Sequence, residues 1–276
     1  MSRDMLSFEP GIMSLYGMSR ERLRLLVLKY VQARSLKSAD GAIFLTEYAA
    51  KVIQQYSGPL KRFQIIPHGV GKTFLETETQ NRWKRNEPSL PFRCVYVSNT
   101  DLYKNQWNVA RAIDELRMRG YDCKLQLIGG GDGQGQELLE SVLRRVDPAG
   151  EHIEQLPFLP QDRLPDILGR SDIAIFASSC ENMPNTLLEA MAIGLPIVSS
   201  NKGPMPEVLE NAGVYCDPLD PQSIADGIER IIVDPQLAKS LSKAARARAS
   251  EYSWARCAKQ TWQFLSNTYR QISSTA

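Results

Sequence analysis

The chain has 276 residues, 43% of them hydrophobic, enough for one large domain or two small ones with a real core. Its 33 basic and 31 acidic residues nearly cancel, so nothing in the charge calls for nucleic acid as a partner. Five scattered cysteines with no C-x-x-C pair and no histidine cluster beside them argue for free thiols, not for a disulfide frame or a metal site.

The first residues, MSRDMLSFEP, lack the apolar core of a signal peptide, and no apolar run approaches the roughly 20 residues of a membrane span. A cytoplasmic protein is expected, with association at a membrane surface left open.

In chain order, the first helix opens at Ser19 (SRERLRLLVLKYVQARSLK). It carries Arg20, Arg22, Arg24, Lys29, Arg34 and Lys37 against the single Glu21, so peripheral contact with anionic lipid is one reading of it. The preferred reading is a domain helix with a solvated basic face, because Leu23, Leu26, Val27 and Tyr30 suit a core stripe. A strand GAIFL (Gly41 to Leu45), a helix after Thr46 and a strand FQII (Phe63 to Ile66) follow. Two strands and two helices cannot cover both faces of a parallel sheet, so residues 1–67 read as the tail of an α/β domain whose beginning is absent. PHGVGKTF and the polar ETETQNRWKRNEPSLP then make residues 68–90 an interdomain linker.

From Pro91 the pattern alternates strands and helices. The strands are FRCVYVS, CKLQLIG, HIEQLPF, IAIFAS, PIVSS and VYC, with helical spacing in NQWNVARAIDELRMRG and GQELLESVLRRVD between them. Strands this apolar, each followed by a helix, predict a doubly wound parallel sheet over residues 91–252, binding its ligand at the carboxyl ends of the strands. Beyond Asp220 the chain reads as helical throughout, and residues 253–276 form a last helix expected to pack back toward the N-terminal part. Its stripe Trp254, Ala258, Trp262 and Leu265 is expected to be the packed face.

The densest chemistry lies in SSCENMPNTLLEAMAIGLPIVSS, where Glu181 and Glu189 stand E-x7-E apart. Pro184 keeps Met183 extended, Asn185 or Thr186 can cap the helix TLLEAMAIG, and Gly194-Leu195-Pro196 ends it. The start of this helix follows a strand, so its free N–H groups and positive dipole end lie at the ligand edge and favour a phosphate. Glu189, one turn in, can accept hydrogen bonds from two vicinal hydroxyls, as acidic side chains do in ribose recognition. Glu181, before the helix, can hold another hydroxylated group, and together the parts describe a nucleotide-sugar. Either glutamate alone would read as a surface acid.

The stretch resembles the E-x7-E donor motif of the retaining glycosyltransferases of the GT-B fold, family 4. NKGPMPEVLENAGVYCDPLDPQSIADGI is similar to that family's G-x-PE segment, IIPHGVGKTF to its interdomain segment, and YVSNTDLYKNQWNVARAI to its diphosphate loop. FLTEYAAKVI resembles the end of its N-terminal domain. The fold implied is a Rossmann-like C-terminal domain preceded by a partial second α/β domain.

The resemblance implies ribose binding by Glu189, a sugar-facing Glu181, and contacts to sugar and diphosphate from the backbone of Asn182, Met183, Pro184, Asn185, Thr186 and Leu187. Lys104 matches the diphosphate lysine, whose charge would offset that of the leaving group. Asn99 stands where the family usually has an arginine, so one phosphate cation is replaced by a neutral donor. The implied reaction moves a sugar from a UDP- or GDP-sugar to a glycan or lipid-linked acceptor, in surface polysaccharide assembly, with no metal and no cofactor. A donor-binding module inactive alone is the alternative.

The run LIGGGDGQGQELL also invites a dinucleotide reading, but no convincing ribose acid follows at the next strand, and a turn near the base pocket is preferred. Base contacts are expected around Phe158 to Gln161. His68 and His152, the two histidines, adjoin no nucleophile motif, which leaves hydrolase chemistry unsupported.

Overall fold

The segment from Phe92 to Cys216 supplies six strands, and those apolar on both faces need cover on both sides. The computed structural model describes residues 5–80 and 90–274. Residues 81–89 of the expected linker lie outside the described residues. The chain divides into two compact units: Met1–Gly69 with Cys180–Pro184 and Tyr252–Ala276, and Val70–Ser179 with Asn185–Glu251.

The second unit is built on the strands β3 (Phe92–Val97), β4 (Cys123–Ile128), β5 (Ile153–Leu156), β6 (Ile173–Phe176), β7 (Ile197–Ser200) and β8 (Val214–Cys216). They form one sheet in the order β5-β4-β3-β6-β7-β8, parallel at every pairing. β6 and β7 are buried at every residue, as strands covered on both faces must be. The connections run outward from β3 in one direction and from β6 in the other. The chain therefore leaves β3 and β6 toward opposite sides, and a crevice opens at their carboxyl ends.

Three helices bear on that crevice. α4 (Gln106–Met118) buries Val109, Ala110, Ile113 and Leu116. α5 (Gln134–Val146) follows the glycine-rich turn after β4. α7 (Asn185–Ile193) is apolar all round and buries every residue from Leu187 to Ile193, Glu189 included. It stops at Gly194, whose φ of 80° suits the left-handed C-terminal cap, with Gly194 N–H on the Met191 carbonyl and Leu195 N–H on that of Ala190. Asn185 and Thr186 lie inside its first turn. Pro184, its φ already fixed by the ring, leads straight into the helix.

Elsewhere in this unit are α3 (Lys72–Glu76), α6 (Leu164–Arg170), α8 (Met205–Leu209), α9 (Pro221–Val233) and α10 (Pro235–Ala249). The short α3 sits in a stretch whose polar composition announces no helix. Asp220 and Asp234 cap α9 and α10 with proline at the first position, the arrangement that leaves fewest orphan N–H groups.

In the first unit, β1 (Ala42–Phe44) and β2 (Phe63–Ile65) pair in parallel, joined by α2 (Glu47–Ser57). α1 (Arg20–Ser38) is capped by Ser19, and α11 (Trp254–Ser273) by Ser253. Ile66, Cys257 and Phe264 share a core cluster against Ile43.

Two expected packing faces are corrected. On α1, Leu23, Leu26, Val27 and Tyr30 are all exposed, between 47% and 69%, and Leu25 is the residue the helix buries. Its neighbours are α2 and the turn Ile12–Tyr16. On α11, Trp254, Trp262 and Leu265 are at least 48% exposed, whereas Cys257, Phe264 and Thr268 are buried. The helix lies on a neighbouring ridge, because its close partner is the narrow two-stranded sheet beside Ile43 and Ile66.

All five cysteines are free and buried. No helix of the described residues is long and apolar enough to cross a membrane.

Candidate functional site

At the carboxyl ends of β3 and β4 lies a cavity of about 430 Å³. Its floor is the end of β3 (Val97, Ser98, Asn99) and the turn after β4 (Ile128, Gly129, Gly130). Phe158, Leu159, Gln161 and Leu164 form one wall, and Thr186 and Glu189 of α7 another.

The glycines explain how the floor closes. Gly129 has a φ of 112°, and a Cβ there would stand 2.4 Å from the Ser98 carbonyl oxygen. A Cβ on Gly131 would come within 2.7 Å of the Thr100 carbonyl. The glycine-rich run is thus a turn pressed on the loop after β3.

Glu189 is the carboxylate of this wall and is 7% exposed. Gln161 Nε2 donates to its Oε1 at 2.9 Å. Burial pushes the carboxyl above its ordinary range, and the hydrogen bond from Gln161 draws it part of the way back. The cavity is otherwise mostly apolar, with Phe158 83% exposed at its edge. A flat apolar group beside a carboxylate that accepts from hydroxyls is what a nucleoside needs.

The loop from Ser98 to Asn105 is tied at many points. Gln106 Nε2 donates to the Ser98 carbonyl at 2.9 Å, and Asp101 caps the single 3-10 turn Leu102–Lys104 through the Leu102 N–H at 2.7 Å. Lys104 closes that turn, 9% exposed, with its Nζ 4.9 Å from the Tyr103 ring centroid. Its carbonyl accepts from the buried Tyr96 hydroxyl at 2.9 Å.

The residues expected from sequence are distributed as follows. Asn99, Thr186 and Glu189 meet at the cavity. Lys104 is on the same loop as Asn99 and is not part of the cavity lining. Asn185 is exposed, and Leu187 is fully buried. Glu181, Asn182, Met183 and Pro184 belong to the first unit. There the Asn182 carbonyl accepts from the Thr46 hydroxyl at 3.2 Å, and Met183 is buried. Two residues escaped sequence reasoning in their roles: Gln161 as the partner of Glu189, and Asn105 at the exit of the lysine turn. Only the tolerance of asparagine for left-handed backbone hinted at the second. Among the described residues no group of three His, Cys, Asp or Glu side chains is placed to hold a metal ion.

A parallel sheet with its cavity where the connections diverge defines a ligand-binding α/β protein of the doubly wound class, and comparison with solved structures gives the fold as that of the GT-B glycosyltransferases. Sucrose-phosphate synthase from Thermosynechococcus elongatus superposes with a TM-score of 0.80 at 22% identity, over 98% of this chain and 67% of that one. HepE of Anabaena, solved with UDP-glucose, superposes with a TM-score of 0.74 at 20% identity, over 93% of this chain and 70% of that one. Residues 77–248 match the family model of the glycosyl transferases group 1, and the chain belongs to that family. Among curated relatives, the alpha-D-kanosaminyltransferase of Streptomyces kanamyceticus is 23% identical over 260 residues, covering 91% of this chain and 66% of the relative. The chain spans between 44% and 66% of the length of this and other curated relatives.

Proposed function

We propose that the chain acts in a retaining glycosyltransferase, binding a nucleoside-diphosphate sugar in the cavity of the second unit and serving transfer of the sugar to a glycan or lipid-linked acceptor. The observation that carries this is Glu189: a buried carboxylate on the cavity wall, in the first turns of α7, with one oxygen already taken by Gln161. Its second oxygen is left for ribose hydroxyls, a use that repays the cost of burying an acid.

In this reading Phe158 and Leu159 receive the base. Lys104 and the N–H groups opening α7 receive the diphosphate and offset the charge that grows on it as the glycosidic bond breaks. The positive charge there comes from the protein, so no metal is required. Asn99 contributes a neutral donor where a second cation would strengthen the leaving group's hold. Glu181 faces the donor sugar, with Asn182 to Leu187 contributing backbone contacts. Donors of the UDP or GDP type are favoured, and a neighbour solved with UDP-glucose supports the choice of a nucleotide-sugar. Surface polysaccharide assembly at the cytoplasmic side of a membrane is the proposed setting.

The second reading is a donor-binding module without turnover of its own, favoured by the first unit, whose described residues hold a sheet of two strands only.

A panel of UDP, GDP, ADP, TDP and NAD added to the purified chain, with melting temperature as readout, tests the binding claim. One nucleoside diphosphate at a hundred times its dissociation constant is expected to add about 2.7 kcal/mol to the parent. Glu189→Ala is expected to lose that gain. A folded chain that none of the diphosphates stabilises, or that NAD alone stabilises, overturns the proposal. With the matching sugar donor, release of the nucleoside diphosphate then separates the transferase from the module.

A further inference from the structure

Resting on the reading of Lys104 as the diphosphate cation, we infer that Asn105 is its positioning residue, a left-handed clasp that ties the lysine turn to the exit of β6. Among the described residues other than glycine, only Asn105 and Glu210 have positive φ. Asn105 sits at φ 53°, ψ 29° and is 2% exposed. A non-glycine residue in this region is strained, so its persistence in a buried loop needs compensation.

The compensation is visible. Asn105 Nδ2 lies 2.8 Å from the Ala177 carbonyl, 2.7 Å from Ser179 Oγ and 3.1 Å from the Tyr103 carbonyl. Two of these acceptors are carbonyls, which fixes the amide's orientation: only the NH₂ side can face them. Ser179 N–H in turn donates to the Tyr103 carbonyl at 2.7 Å, closing a ring between the loop after β3 and the loop after β6. The main chain of Asn105 works too, its carbonyl accepting from Asn108 N–H at 3.0 Å at the start of α4.

One residue therefore ends the turn that carries Lys104, starts α4, and binds both to the strand end from which the segment Ser178–Ser179 departs. The left-handed backbone is needed because the chain must swing from a 3-10 turn into α4 within one residue. Glycine would satisfy the backbone but would bring neither of the two N–H donors that the three acceptors share. Asparagine does both, and the Lys104 ammonium, on a flexible stem, gains a base that does not move.

The test reads the part of affinity that the diphosphate adds. The dissociation constants of uridine and UDP, and of guanosine and GDP, are measured by calorimetry, and the nucleoside-to-diphosphate ratio is taken for each pair. Lys104→Ala is expected to lower the ratio about tenfold. Asn105→Gly, which keeps the left-handed turn and removes the amide, is expected to lower it about threefold or more while leaving nucleoside affinity unchanged. The double variant is expected to match Lys104→Ala alone, because Asn105 acts through the lysine.

If Lys104→Ala lowers the ratio and Asn105→Gly does not, the inference fails and the reading of Lys104 survives. If Lys104→Ala leaves the ratio unchanged, that reading fails and takes the inference with it. Should Asn105→Gly not fold, Ser179→Ala removes one tether and leaves the turn intact. A ratio that falls in Ser179→Ala supports the clasp, and an unchanged ratio overturns it.

Discussion

Gln161 and Glu189, on different walls of one cavity, are joined by a hydrogen bond of 2.9 Å from the amide to the carboxylate. Burial raises the pKa of Glu189, and the donated N–H works against that rise by favouring the charged form. The ionised carboxylate is the form that accepts from two hydroxyls. Nucleotide affinity is thus expected to rise as pH climbs through the raised pKa of Glu189. In Gln161→Leu the opposing hydrogen bond is gone, so the same rise is expected at higher pH. Titrations of the stabilising nucleoside diphosphate between pH 4.5 and pH 8 read this directly. A midpoint that Gln161→Leu leaves in place would show that the amide does not govern the carboxylate.

A second buried acid lies in the first unit. The Tyr48 hydroxyl donates to Glu9 Oε1, while Glu9 Oε2 is buried with no hydrogen-bond partner. Desolvation raises the Glu9 pKa, with the Tyr48 hydrogen bond opposing. A raised folded-state pKa means that the stabilising contribution is complete below the unfolded value, near 4.3, and is lost as pH rises through the folded one. Glu9→Gln replaces the acid by a group that never ionises. The melting temperature of this variant relative to the parent is expected to be higher at pH 8 than at pH 4.5. An equal difference at both pH values would mean that Glu9 ionises in the fold at no cost.

At the amino ends of the central strands β3 and β6, Asp172 is 1% exposed and holds Arg93 through three hydrogen bonds. Two come from the guanidinium, at 3.1 and 2.9 Å, and one from the backbone N–H, at 2.9 Å. Removing one partner of such a pair leaves the other's donors unmatched, which costs about 3 kcal/mol. Asp172→Ala is expected to lose about that much in urea unfolding followed by circular dichroism, with nucleotide affinity at permissive temperature unchanged. A loss below 1 kcal/mol would place the pair among ordinary surface bridges.

The element order of the second unit was open to reading because its strands are short and apolar, and glycine or proline marks most of their ends. In IAIF the all-buried character of a central parallel strand is written into the residues themselves. Periodicity failed on α1 and α11 for a specific reason. It reports which side chains share a face, but not whether anything stands opposite. Leu23, Leu26, Val27 and Tyr30 share a face and are exposed; Trp262 and Leu265 do likewise. In the cavity, the position of Glu189 at the sheet edge follows from the strand–loop–helix pattern. The bond from Gln161 spans 28 residues and depends on how α7 and the loop after β5 come together, which no local pattern encodes. Asn105 is similar: its partners Ala177 and Ser179 are more than 70 positions away.

The central claim is that Glu189 reads ribose hydroxyls, and its most direct measurement compares the stabilising nucleoside diphosphate with its 2′-deoxy form, by calorimetry, in the parent and in Glu189→Ala. Loss of a hydrogen bond to a charged group costs about 1.5 to 3 kcal/mol, so the parent is expected to prefer the ribose form at least tenfold. Glu189→Ala is expected to bind both forms alike. A parent indifferent to the missing hydroxyl, or a variant that keeps the preference, would contradict the account.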